Sequence, residues 1–198
     1  AAAALGLCAT LAACGLGGSV PPTPVAGANG NTTQAASAPR ITPPPVTPPA
    51  PPGTYMPAFR CADAVGGSAG SANVSGVRAA EQLGYDRFVL QFDTKVPSYT
   101  VKRQAKPVFK SGGSGQTVTL SGTSGALVQV HSATGAGSYN GPTDILHSGF
   151  LVLSEARLVE DFEGYVSWGF GLSRPACMRT FTLSDPPRLV IDFTTTSG

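Results

Sequence analysis

Apolar and polar residues alternate with a period of two over most of the chain beyond residue 73, the spacing of half-buried strands. "VSGVRAAEQ" and "RFVLQFD" flank Leu83-Gly84-Tyr85-Asp86 and predict a β-hairpin. "SYTVKRQ", "QTVTLSG", "ALVQVHS", "SEARLVEDF", "GYVSWGF" and "MRTFTLS" follow, punctuated by Gly, Pro, Ser and Asp. In "RFVLQFD", alternation sets Phe88, Leu90 and Phe92 on one face and Arg87 and Gln91 on the other. The closing stretch "DPPRLVIDF" repeats the pattern after an Asp-Pro-Pro turn. Leu189, Ile191 and Phe193 share one face, opposite Arg188 and Asp192. Those two charges lie about 13 Å apart along a strand, so each is expected to meet charges on neighbouring strands. A helical turn is allowed for near Asp144-Ile145-Leu146, but no amphipathic helix of ordinary length is expected. An all-β sandwich or barrel over residues 58–196 follows.

Upstream the periodicity stops. From Gly15 to about Pro57 the chain is first small and polar, "GANGNTTQAASAPR", then proline-dense, "ITPPPVTPPAPPG". That composition buries too little apolar area to offset the entropy of ordering it, so residues 14–57 are expected to form a disordered tether sampling polyproline II. At roughly 3 Å per extended residue, such a tether reaches up to about 100 Å. The opening "AAAALGLCATLAACG" has the character of an export-signal h-region, with residues 1–13 its remnant. Within it, Leu11-Ala12-Ala13-Cys14 resembles the bacterial lipobox. The resemblance implies lipidation of Cys14 and a membrane anchor on the extracytoplasmic face.

Charge and cysteine count narrow the classes. Charged residues make up 12% of the chain, about half the usual share, while Gly (25) and Pro (18) are abundant. A net charge of +2 without a basic cluster excludes an electrostatic case for nucleic acid. With Cys8 removed with the signal and Cys14 lipidated, Cys61 and Cys177 remain as an even pair for a disulfide in an oxidising compartment.

Three motifs occur in order: "GYDRFVLQFD", "VEDFEGYVSWGFGL" and "FTLSDPPRLVIDF". Together they resemble the AMIN-like domain of bacterial lipoproteins and secreted proteins, over about residues 73–193. The last also resembles AMIN domains proper, β-sandwiches that target enzymes to the cell wall. The resemblance implies a β-sandwich of the AMIN-like type behind the tether, in the cell envelope, with peptidoglycan or another wall polymer as partner.

Candidate chemistry is sparse. Glu160, Asp161 and Glu163 sit in one turn, whereas a glycosidase needs carboxylates flanking a bond about 5–10 Å apart. Ser167 lacks the spacing of a nucleophile elbow and reads as a strand residue. His131 and His147 have no second metal ligand at short spacing, and no cofactor fingerprint occurs. Alternation places Trp168 with Val166 and Phe170, in the core rather than on a sugar-stacking surface. Tyr85, Arg87, Tyr165 and Arg188 fall on polar faces or turns. They are candidates for contact with a glycan or its peptide carboxylates, with ordinary cross-strand pairing on a solvated face as the leading alternative. A non-catalytic envelope module is expected. A module docking an envelope protein through a strand edge, and a hydrolase, are the rivals.

Overall fold

A computed structural model of the chain describes residues 56–195. Cys14, the signal remnant and nearly all of the tether lie outside them. Among the described residues there are thirteen strands and no helix. They are β1 (Ala64–Gly66), β2 (Ala72–Gln82), β3 (Tyr85–Phe92), β4 (Tyr99–Gln104), β5 (Val108–Lys110), β6 (Thr117–Thr119) and β7 (Ser124–His131). Then come β8 (Ala133–Thr134), β9 (Asp144–Leu146), β10 (Leu153–Phe162), β11 (Tyr165–Leu172), β12 (Cys177–Ser184) and β13 (Pro187–Thr194). The helical turn allowed near Asp144 is replaced by β9, which pairs antiparallel with β10 from Arg157 to Glu155. Three residues carry too little periodicity to tell a turn from an edge strand, and the partner strand decided it.

Two sheets face each other. One runs β1-β4-β7-β11-β10-β9, the other β12-β13-β3-β2-β8. Between them lie Phe88, Leu90 and Phe92 of β3, Leu189, Ile191 and Phe193 of β13, and Val128, Trp168 and Phe170 from the opposite sheet. Phe88 packs against Trp168 and edge-on against Phe170, with ring centroids 5.4 Å and 4.8 Å apart. Such tilted aromatic pairs add to what burial alone supplies. Trp168 is therefore a core residue.

The β5–β6 ribbon forms a partial third layer. It packs Phe109 onto the outer side of the six-stranded sheet with Leu120 and Val159. Gly169 of β11 makes this approach feasible, since a Cβ there would lie 2.8 Å from the Phe109 ring. As a result β11 is buried on both faces from Val166 to Leu172.

Two links hold the sheets together at their ends. The fully buried Asp86 of β3 accepts hydrogen bonds from the backbone amides of Leu151 (3.0 Å), Val152 (2.6 Å) and Leu153 (2.8 Å). One carboxylate thus ties the five-stranded sheet to the segment entering β10. On the other side, Arg60 pairs with Met178 of β12, and β1 then joins β4, so residues 60–66 cross from one sheet to the other. The Cys61–Cys177 disulfide pins that crossing, with Cα atoms 4.1 Å apart. The expected cysteine pairing is present.

Asp86→Ala would leave three amides without their acceptor, those of Val152 and Leu153 buried. It is expected to lower the unfolding free energy by about 3 kcal/mol or more, measured by urea denaturation, with Asp86→Asn losing less. Paired Cys61→Ser and Cys177→Ser should cost up to about 4–5 kcal/mol by the same measurement, since the bond closes a loop of 116 residues. Unchanged midpoints in either case would mean that the corresponding link does not hold the sheets together.

Candidate functional site

The outer face of the five-stranded sheet gathers three of the four residues singled out from sequence. Strands β3 and β13 carry the same Arg-x-x-x-polar pattern and lie side by side in opposite directions. Arg87 therefore stands across from Asp192, and Gln91 across from Arg188. Repetition of one motif in an antiparallel pair is what brings unlike charges together.

Asp192 is fully buried although it lies on the outward face. Arg87 holds it bidentately, Nε to Oδ1 at 2.7 Å and a terminal nitrogen to Oδ2 at 3.0 Å. Arg179 of β12 donates its Nε to Oδ2 at 2.7 Å. The expectation that each charge meets charges on neighbouring strands holds for Asp192, on both sides, and fails for Arg188, whose cross-strand neighbours are Gln91 and Leu183. The hydrogen bond to Asp192 pushes the Arg87 pKa above its ordinary value, against the opposing pull of burial. Burial of the carboxylate is tolerable because each of its oxygens has a guanidinium donor.

Aromatic rings enclose these guanidinium groups. Arg179 lies 4.4 Å from the Phe59 ring centroid and 4.7 Å from that of Tyr85. Arg87 lies 5.4 Å from Tyr85 and 5.5 Å from Phe181. These are cation–π distances. Phe59 also contacts Tyr85 ring to ring at 5.8 Å. Because Phe59 precedes Arg60 and the disulfide, the crossing segment also covers one end of this cluster.

Further along the face the residues are more open. Arg78 of β2 donates to Gln91 at 3.0 Å and is exposed. Arg188 bonds the carbonyl oxygens of Pro186 and Asp185 in its own turn, at 3.1 Å and 3.2 Å. Beside it, Leu183, Ser184 and Pro187 border a groove of about 540 Å³ that also takes in Thr94 and Lys95. In register the face presents Arg78, Arg87, Arg179 and Arg188 against one carboxylate, Asp192, which is already saturated. It can attract anions but offers no residue pair for acid–base work.

Tyr165 is elsewhere. It opens β11 in the other sheet and stacks edge-on against His131 at 5.2 Å. Asp161 accepts from Thr134 Oγ1 (2.9 Å) and the Gly135 amide (2.8 Å), while Glu160 accepts from the Gly113 amide (2.7 Å). His147 stacks on Phe150 at 4.1 Å. Among the described residues no three His, Cys, Asp or Glu side chains cluster as metal ligands. Arg179 and Phe59 escaped the sequence reading, and the motif logic alone held no signal for Phe59. Arg179 could have been found from the period-two pattern of "CMRTFTLS" beside an unpaired Asp192.

The sequence model of the AMIN-like domain family matches residues 72–195. The chain belongs to that family. In this AMIN-like domain the match includes Asp86, Arg87, Arg179 and Asp192, and leaves β1, Phe59 and Cys61 ahead of it. Membership implies an envelope location outside the cytoplasm, and AMIN-like domains are generally non-catalytic binding modules. Neither a curated protein nor a solved structure matches the chain significantly.

Within the AMIN-like domain, Asp192→Ala should lower stability by about 3–5 kcal/mol, because two largely covered guanidinium groups lose their counter-charge. Arg188→Ala should change it by less than about 0.5 kcal/mol. Thermal unfolding of the two variants side by side checks the contrast. Equal effects would mean that the cluster does not organise the sheet.

Proposed function

We propose that the protein is a non-catalytic envelope module, anchored by lipid at Cys14, whose five-stranded sheet binds anionic groups of peptidoglycan or another wall polymer. The observation that carries this is the charge of that face: four guanidinium groups and three aromatic rings, with the lone facing carboxylate buried beneath them. Arg78 and Arg188 are the accessible contacts. Arg87 and Arg179, fixed by Asp192, set a positive background, and Tyr85 and Phe181 supply flat surfaces. Stem-peptide carboxylates and polymer phosphates both suit such a face. Family membership supports an envelope setting, and a long tether would let the domain leave the membrane surface.

A second reading has its own support. Among the described residues the outer edge of β12 carries a single bridge, Arg60 to Met178, which leaves Thr180–Ser184 for strand addition by an envelope protein. A hydrolase finds no comparable support, since Glu160 and Asp161 each hold backbone amides and point from opposite faces of one strand.

The test is retention of the full chain on purified sacculi, with Cys14→Ser used to keep it soluble. Retention should fall with salt. Arg78→Ala combined with Arg188→Ala should weaken it about tenfold without moving the unfolding midpoint. Absence of retention at low salt would overturn wall binding in favour of the protein partner. In cells, Cys14→Ser should release the protein from membranes or leave it unprocessed. Unchanged membrane partition would overturn the anchor.

A further inference from the structure

One end of the sandwich holds a groove of about 430 Å³, within the range of small-ligand sites, between the C-terminal ends of β4 and β11 and the start of β7. On β4, Tyr99 and Val101 belong to the core, and Arg103 follows at the same parity. On β7, Ala126, Val128 and Val130 belong to the core, and Ser124 precedes them at that parity. Where the layer between the sheets runs out, the chain thus sets a cation and a hydroxyl in positions that alternation gives to apolar side chains. Leu172, across from Ser124, supplies an apolar wall together with Pro175 and Ala176.

Arg103 is held but not neutralised. One terminal nitrogen donates to the Cys61 carbonyl oxygen at 2.6 Å, on the segment that the disulfide pins, which leaves Nε and the other terminal nitrogen as an open fork. Asp63 accepts from the Arg103 backbone amide at 2.9 Å, and among the described residues the guanidinium forms no ion pair. Lys106 and Arg174, each next in sequence to a lining residue, are exposed and add positive charge. The independent observation is Ser124. It lines the same groove, is 5% exposed, and its hydroxyl has no hydrogen-bond partner among the described residues. A buried hydroxyl without a partner costs stability, and a ligand oxygen that reaches it removes that cost.

We infer that this groove binds a small organic monocarboxylate with a short branched apolar body. The open fork of Arg103 takes a carboxylate through two parallel N–H donors. Ser124 adds a hydroxyl donor, and the Gln104 amide, also on the lining, serves a neighbouring polar group of the ligand. The apolar body then lies against Leu172, Pro175 and Ala176. A phosphate or sulfate would set further oxygens against that wall, where nothing pairs with them. A neutral ligand would leave the guanidinium without a counter-charge. The groove shares no residue with the arginine face of the five-stranded sheet, so it stands independently of wall binding. No bond is made or broken; the site only binds.

The probe is N-acetyl-leucine, titrated into the isotope-labelled full chain carrying Cys14→Ser and followed by amide NMR. Its uncharged counterpart, N-acetyl-leucinamide, is titrated alongside. Saturable shifts at Gln104, Gly125 and Ala176 are expected in the millimolar range, with the amide at least about tenfold weaker. Arg103→Gln should weaken the acid about tenfold, and Arg103→Lys less. Ser124→Ala should weaken it while leaving the unfolding midpoint unchanged or raised, a combination that a purely structural serine would not show. Arg78→Ala with Arg188→Ala should leave it unaltered, which separates this groove from the wall-polymer face. A pentapeptide ending in leucine with a free carboxylate distinguishes the sources: equal binding assigns the groove to chain ends, weaker binding to free acids. The comparison of acid with amide needs no variant, so it decides the matter even where Arg103→Gln unfolds the domain. Absence of saturable shifts, equal binding of acid and amide, or binding indifferent to Arg103→Gln would each overturn the site.

Discussion

A carboxylate that is fully buried must be supplied with donors or it will not stay buried, and Asp86 meets that demand with three backbone amides from the other half of the sandwich. The hydrophobic interior brings the two sheets together without specifying how one lies on the other. The three amides of Leu151, Val152 and Leu153 do specify it, because they are directional. The next residue, Arg87, points to the opposite side of the same strand by simple alternation. Its guanidinium reaches Asp192 and orders the outer surface. One dipeptide therefore joins the sheets on its inner side and fixes a charged cluster on its outer side.

The two outer faces that result differ in chemistry. The five-stranded face is rich in guanidinium groups whose single carboxylate is taken up internally, so its net field is positive. The six-stranded face is partly covered by the β5–β6 ribbon, and where that cover ends it shows two aromatic rings with carboxylates and an amide. The disulfide and the crossing segment act at the first face, where Phe59 rests on Arg179 and Tyr85.

Much of the framework was legible from alternation. The hairpin around Leu83-Gly84, the inward set of Phe88, Leu90 and Phe92, and the core position of Trp168 all follow from a period of two, because a pleated strand leaves no other arrangement. The cysteine pair was legible by counting. What escaped were the pieces of two or three residues, β1, β5, β8 and β9, whose existence depends on a partner strand rather than on their own pattern. The burial of Gly169 escaped as well, since alternation assigns it to the open face and the ribbon carrying Phe109 covers it.

The candidate site divides in the same way. Local sequence determined which side of each strand Tyr85, Arg87, Arg188 and Tyr165 occupy, and alternation is a property of the single chain. Whether they meet was decided by tertiary structure. Antiparallel pairing of β3 with β13 placed Arg87 over Asp192 and left Arg188 four residues away, while sheet assignment put Tyr165 on the far side of the domain. The reason is physical: side-chain direction repeats within a strand, but partner, register and covering layer arise from contacts between residues more than a hundred positions apart, such as Arg87 and Asp192, and no local pattern encodes those.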